Sequence, residues 1–110
     1  MRKSLSFVLL CAAAACGSTA TVIPPVIVVT TSVTMQNIAF APARIQVSPG
    51  AVVTWTNNDN IQHTVTFDGT VGAIAAFSTG AKTLTMPTTA GTYEYHCTIH
   101  AGMAGTVIVQ

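Results

Sequence analysis

The stretch Thr92-Tyr93-Glu94-Tyr95-His96-Cys97-Thr98-Ile99-His100-Ala101-Gly102-Met103, TYEYHCTIHAGM, joins two kinds of chain at Cys97. Up to that cysteine it alternates. Successive side chains of a strand point to opposite sides of the sheet, so Tyr93, Tyr95 and Cys97 share one face while Glu94 and His96 share the other. A sheet buries the face with the aromatic rings, which turns Cys97 inward and sends His96 outward. Beyond Cys97 the alternation stops and small residues with Gly102 signal a loop, on which His100 and Met103 sit. The stretch therefore predicts a strand that delivers a buried thiol to a loop bearing an imidazole and a thioether.

The same reading extends along the chain. Short β-like runs recur with turn residues between them, and no stretch carries a helical period of useful length. They predict strands over 33–38, 43–48, 51–56, 62–67, 81–86, 91–97 and 104–109. Ala41-Pro42, Ser48-Pro49-Gly50, Asn57-Asn58-Asp59-Asn60 and Ala90-Gly91 divide them. Seven or eight strands at this spacing give an all-β fold, an antiparallel sandwich with Greek-key connections. Residues 68–80, DGTVGAIAAFSTG, are the least regular and read as a loop or one short helical turn. In QHTVTF, His63 shares a face with Val65 and Phe67 and so points inward, with Gln62, Thr64 and Thr66 on the other side. Ile45 with Val47, Val53 with Trp55, Leu84 with Met86 and Val107 with Val109 make the expected core pairs, and Met35 is a further core filler.

Composition sets the outer bounds. The chain has 110 residues, 50% hydrophobic and 6% charged, which fits one small globular domain and excludes a disordered polar chain. Arg2, Lys3, Arg44 and Lys82 stand against Asp59, Asp68 and Glu94, so no basic patch exists for nucleic acid. The N-terminus, MRKSLSFVLLCAAAACGSTA, has a basic start, an apolar run over 5–15 and then small residues. That run is shorter than the roughly 20 residues of a membrane span, and its layout predicts a secretory signal over 1–15 and an exported protein, periplasmic or held at a membrane. Ala13-Ala14-Ala15 before Cys16 is similar to a lipoprotein processing box, with Cys16 as the candidate lipidation site and first mature residue; cleavage after Ala15 or Ala20 without a lipid is the alternative. Residues 16–32, with Pro24-Pro25, read as a tether with a candidate edge strand over 26–30. Beyond it, 33–110 forms the folded domain. With Cys11 inside the signal and Cys16 at its edge, Cys97 is left alone in that domain. A lone thiol in an oxidising compartment invites oxidation unless something occupies the sulfur.

The donors then combine. An inward His63, an inward Cys97 at a strand end, and His100 and Met103 in the following loop give the order His, Cys-x-x-His-x-x-Met. Thiolate and two imidazoles are strong donors to copper, and a thioether suits a long, weak axial position; trigonal His₂Cys with axial Met is the blue-copper arrangement. Zinc fits less well, since structural zinc sites draw on several Cys or His ligands and the fourth donor here is Met.

YEYHCTIHAGM followed by AGTVIV resembles the C-terminal ligand loop and last strand of the cupredoxins, and the two-residue gap between His100 and Met103 resembles the short loop of amicyanins. WTNNDNIQHTVTF resembles the region around the first histidine of that family. The resemblance covers about residues 33–110. It implies a one-electron carrier with one type 1 copper, His63, Cys97 and His100 as equatorial ligands and Met103 as axial ligand. It also implies redox protein partners docking near His100, whose neighbours Ile99, Ala101 and Gly102 are small or apolar. The chain departs from the family pattern at Thr64, where many members carry Asn, and at Gln62, where Pro is common; both residues adjoin His63.

Blander readings compete at each position. Alone, His63 is a satisfied core histidine and Cys97 an inert buried thiol. Cys97 with His100 raises a nucleophilic pair, but neither an orienting partner nor an oxyanion site is evident, so no enzyme is expected. His96 reads as a surface hydrogen-bonding residue. Asn57-Asn58-Asp59-Asn60 reads as ordinary turn chemistry. The competing functions are copper storage or delivery by the same ligands, and a structural sandwich whose site is vestigial. A monomer is expected.

Overall fold

The computed structural model describes residues 26–110. The expected signal over 1–15, the candidate lipidation site Cys16 and the 16–25 part of the tether lie outside the described residues.

Ten strands make up the described fold, with no helix among them. In chain order they are β1 (Val28–Val29), β2 (Ser32–Met35), β3 (Phe40–Ala41), β4 (Arg44–Val47), β5 (Val52–Asn57), β6 (His63–Phe67), β7 (Ala73–Phe77), β8 (Gly80–Thr85), β9 (Gly91–His96) and β10 (Ala104–Val109). One sheet has the order β1-β4-β10-β9-β6-β7 and the other β3-β2-β5-β8. The all-β sandwich expected from the sequence is thus present, with more strands than the seven or eight expected. The pairs β1–β4, β4–β10 and β2–β5 are parallel, so the sheets are mixed where a purely antiparallel sandwich was expected. The 26–30 edge strand appears as β1 on the margin of the larger sheet.

Two segments correct the sequence reading. Residues 73–77, expected in a loop or helical turn, form β7 and pair with β6. Only Ile74 and Phe77 of β7 are buried, a spacing that breaks the two-residue period and disguises the strand. The run expected over 33–38 stops at Met35, because Asn37 and Ile38 adopt φ of 55° and turn the chain back into β3.

The two inner faces meet in one core. Trp55, Tyr95, Met35, Ile45, Val53, Val65 and Val107 are all but fully buried, as is His63 among them. Met86 is buried as expected, while its partner Leu84 is only partly covered. Trp55 packs edge-on to Tyr95 with ring centroids 5.5 Å apart, and Phe40 does the same at 4.7 Å. Such pairs add about 0.5–1.5 kcal/mol beyond the area they bury. The cluster holds Tyr95 of β9, the strand that ends at His96 just before Cys97, and so fixes the position from which the loop departs.

Candidate metal centre

Strand β9 runs out at His96, and Cys97 follows it with 3% exposure. The Cys97 amide donates to the Met103 carbonyl at 2.9 Å, and Ala104 at the start of β10 lies opposite His96. The loop is therefore clamped at its mouth. Gly102 takes φ of 80°, a conformation that glycine adopts without a Cβ clash, and turns Met103 back into the interior, where it is 2% exposed. His63 enters from the other side, at the start of β6. Opposite His63 and Val65, β7 pairs through Phe77 and Ile74 and so carries one extra residue, a bulge in β7 that leaves the alternation of β6 intact. His63 is buried on the inner face, while Thr64 shares the opposite face with Thr66, whose hydroxyl is 3.2 Å from its own, and is buried there beneath Thr98 of the cysteine loop.

Among the described residues, His63, Cys97 and His100 form the one group of three metal-ligating side chains, their donor atoms all within 4.8 Å of one another. His63 Nδ1 and His100 Nδ1 are 3.1 Å apart. Cys97 Sγ lies 3.5 Å from His100 Nδ1 and 3.9 Å from His63 Nδ1. Bonds of about 2.0–2.3 Å from nitrogen and sulfur to a first-row ion span separations of this size. The donor set fits copper: one thiol, two imidazoles presenting the same ring nitrogen, and a buried thioether at the loop end.

The surroundings favour the thiolate. Burial pushes the Cys97 thiol up, but the amides of Thr64 and Ile99, with the His100 and His63 rings, outweigh it and bring it from 9.0 down to about 6. The Thr64 amide donates to the sulfur at 3.4 Å. The Thr64 hydroxyl accepts from the Thr98 amide at 2.9 Å and is 3.1 Å from the Thr98 hydroxyl. A threonine thus braces the cysteine loop at the position where the resembled family commonly has asparagine.

His96, the neighbour of Cys97, faces away from the donors. Its Nδ1 lies 2.9 Å from Asp68 Oδ1, with both side chains about half exposed, as expected of a surface residue. His100 is partly buried, and beside it Ile99 is 49% exposed. A shallow depression lined by residues from His96 to Ala104 opens over this loop.

One residue of the site escaped the sequence reading. Asp59, taken as turn chemistry, is 2.8 Å through Oδ2 from His63 Nε2. Its own amide donates to Asn57 Oδ1, while Asn57 Nδ2 donates to the carbonyls of Ile61 and Phe77. The loop between β5 and β6 is thereby anchored across the sandwich. The available signal was an acidic residue one helical-turn spacing before a histidine, too common to single out.

Comparison with known proteins agrees with this geometry. Residues 27–110 match the model for copper binding proteins of the plastocyanin/azurin family. Plastocyanin of Scenedesmus fuscus is 36% identical over 86 residues, 66% of this chain and 88% of that protein. Amicyanin of Paracoccus denitrificans is 36% identical over 84 residues, covering 71% of this chain and 63% of that one. Among solved structures, a reduced amicyanin variant superimposes with a TM-score of 0.65 at 31% identity, covering 76% of this chain and 82% of that one. A purple cupredoxin from Nitrosopumilus maritimus shares the fold, with a TM-score of 0.62 at 22% identity over 74% of this chain and all of that one. The fold and the donor set define a cupredoxin. The chain belongs to the copper-binding plastocyanin/azurin family, and its cofactor is one type 1 copper ion.

Proposed function

We propose that His63, Cys97 and His100 hold the copper ion as its three strong donors, with Met103 as the weak fourth, and that the protein carries single electrons between redox partners. Type 1 copper supplies one-electron chemistry by alternating between Cu(II) and Cu(I). The residues of the chain do the rest. His63 and Cys97 come from different parts of the sandwich, and the hydrogen bonds of Thr64 and the Cys97–Met103 closure hold the loop against them. One fixed arrangement then serves both oxidation states, and little must reorganise when an electron moves. No substrate bond is made or broken.

The observation that carries this reading is the convergence of a buried thiol of lowered pKa with two imidazole nitrogens. Partners dock at the depression around His100, where Ile99, Ala101 and Gly102 are exposed and small or apolar. The curated relatives named plastocyanin and amicyanin support electron carriage over storage or delivery. The basic start and apolar run of residues 1–15 support export, and Cys16 is the residue that a lipid would occupy. The protein acts as a monomer, held at a membrane where that lipid is attached.

Addition of Cu(II) to the mature domain tests the assignment. Intense visible thiolate-to-copper absorption and a paramagnetic resonance spectrum of type 1 character are expected, both abolished in Cys97→Ser. A colourless, weakly held ion overturns the reading. Electron self-exchange measured by NMR separates a carrier from a storage protein, since storage does not call for fast exchange.

A further inference from the structure

We propose that Asp59 is a positioning residue for the copper ligand His63, and that it is itself held by a strained turn in a different part of the chain, Asn37-Ile38. The inference rests on the reading of His63 as a ligand.

Asn37 and Ile38 both have φ of 55°. For a β-branched residue such as Ile38 this conformation is a genuine outlier, and it persists only where the surroundings enforce it. Two residues in succession with this geometry turn their amides toward one point, making a concavity for an anion. The anion is the Asp59 carboxylate: Oδ1 accepts from the Asn37 amide at 2.6 Å and Oδ2 from the Ile38 amide at 2.9 Å. Gln36 and Ala39 close the turn by reciprocal backbone hydrogen bonds of 3.0 and 3.2 Å.

Oδ2 also meets His63 Nε2 at 2.8 Å. An ionised carboxylate only accepts, so the imidazole proton resides on Nε2. The lone pair is then on Nδ1, the atom that faces Cys97 and His100. Released from Asp59, the ring is free to take the other tautomer, which points a proton at the donors. The carboxylate also makes the imidazole a stronger donor, which favours Cu(II) over Cu(I). Two segments distant in sequence thus act in series: the turn between β2 and β3, and the stretch from Asp59 to His63, whose carboxylate passes the constraint to the histidine that opens β6. Ile38 is 46% exposed, so the turn that controls this series reaches the surface.

Nitrogen-15 NMR of the wild-type domain before copper is added provides the first test, and it needs no variant. His63 is expected as a single Nε2-H tautomer, and a His63 protonated at Nδ1 alone overturns the proposal. Asp59→Asn provides the second. Its single carbonyl oxygen cannot serve all three donors and carries no charge. His63 is expected to become a tautomer mixture, Cu(II) affinity to fall tenfold or more, and the Cu(II)/Cu(I) equilibrium to shift about tenfold toward Cu(I), roughly 59 mV upward in potential. A folded Asp59→Asn protein with wild-type tautomer and an equilibrium within about twofold of wild type overturns the proposal. If the tautomer responds to Asp59→Asn but the wild-type domain binds no copper, positioning of the ring stands and the copper reading fails alone.

Discussion

The hydroxyl of Thr64 accepts a hydrogen bond from the Thr98 amide at 2.9 Å, tying the residue after one donor histidine to the residue after the cysteine. The same hydroxyl lies 3.2 Å from Thr66 Oγ1. The two parts of the metal centre are thus connected without passing through the metal. In Thr64→Val, which keeps the shape and removes the hydroxyl, the Thr98 amide loses its partner. Stability is expected to fall by about 1–3 kcal/mol, with faster copper release and an altered paramagnetic resonance spectrum. Chemical denaturation and copper transfer to a chelator measure the two effects.

The Cys97 thiol gives the metal-free domain a pH dependence. Its folded pKa, about 6, lies below the ordinary 9.0, so between these values the unfolded chain binds more protons than the folded one. Stability from this group is complete above pH 9, declines as the pH falls toward 6, and is gone below it. The difference in stability between wild type and Cys97→Ser, measured without metal across this window, is expected to grow with pH. A constant difference excludes the thiolate. Copper affinity follows the same direction, since protons compete for the sulfur.

Gly105 on β10 lies directly opposite Tyr95 on β9, and a methyl group there would overlap the tyrosine ring and hydroxyl. Tyr95 is 1% exposed and packed against Trp55, Phe40 and Phe67, so it has nowhere to move. Gly105→Ala is expected to cost about 1–3 kcal/mol by overpacking. Gly69→Ala, whose added methyl meets nothing within 4 Å, is expected to change stability by less than about 0.5 kcal/mol. Denaturation midpoints of the two variants compare them directly.

Ile99 projects beside His100 with about half its surface exposed. Ile99→Lys places a strongly hydrated charge in the small apolar surface without touching a donor. The copper spectrum and potential are expected to stay as in wild type, while electron self-exchange slows by about tenfold, a barrier change of about 1.4 kcal/mol. Unchanged self-exchange would place docking elsewhere.

Much of this was legible in the chain because strand alternation is a local property. Tyr95 and Cys97 inward, His96 outward, and His63 with Val65 and Phe67 inward all follow from a period of two, and the structure keeps each of them. What escaped depends on contacts distant in sequence. The β7 strand carries Ala73, Ala75 and Ala76, which have no strong strand preference; its pairing with β6 holds it extended, and its own bulge breaks the two-residue period. Asp59 carries no local mark of its role, because the amides that hold it come from Asn37 and Ile38. Thr64 shares the outer face with Thr66 as alternation predicts, but it is buried there by Thr98, a contact from the cysteine loop that no local pattern shows.

The clamp formed by the Cys97 amide, the Met103 carbonyl and the Ala104–His96 pairing also bears on inheritance. Cys97, His100 and Met103 sit on one segment whose two ends are fixed by adjoining strands of the same sheet, while His63 and Thr64 come from the sandwich beneath. Descendants of such a gene can insert, delete or exchange residues between those ends without repacking Trp55 or Tyr95. Drift in the colour and potential of the metal is thereby separated from drift in foldability, and selection can act on the first while the second holds still.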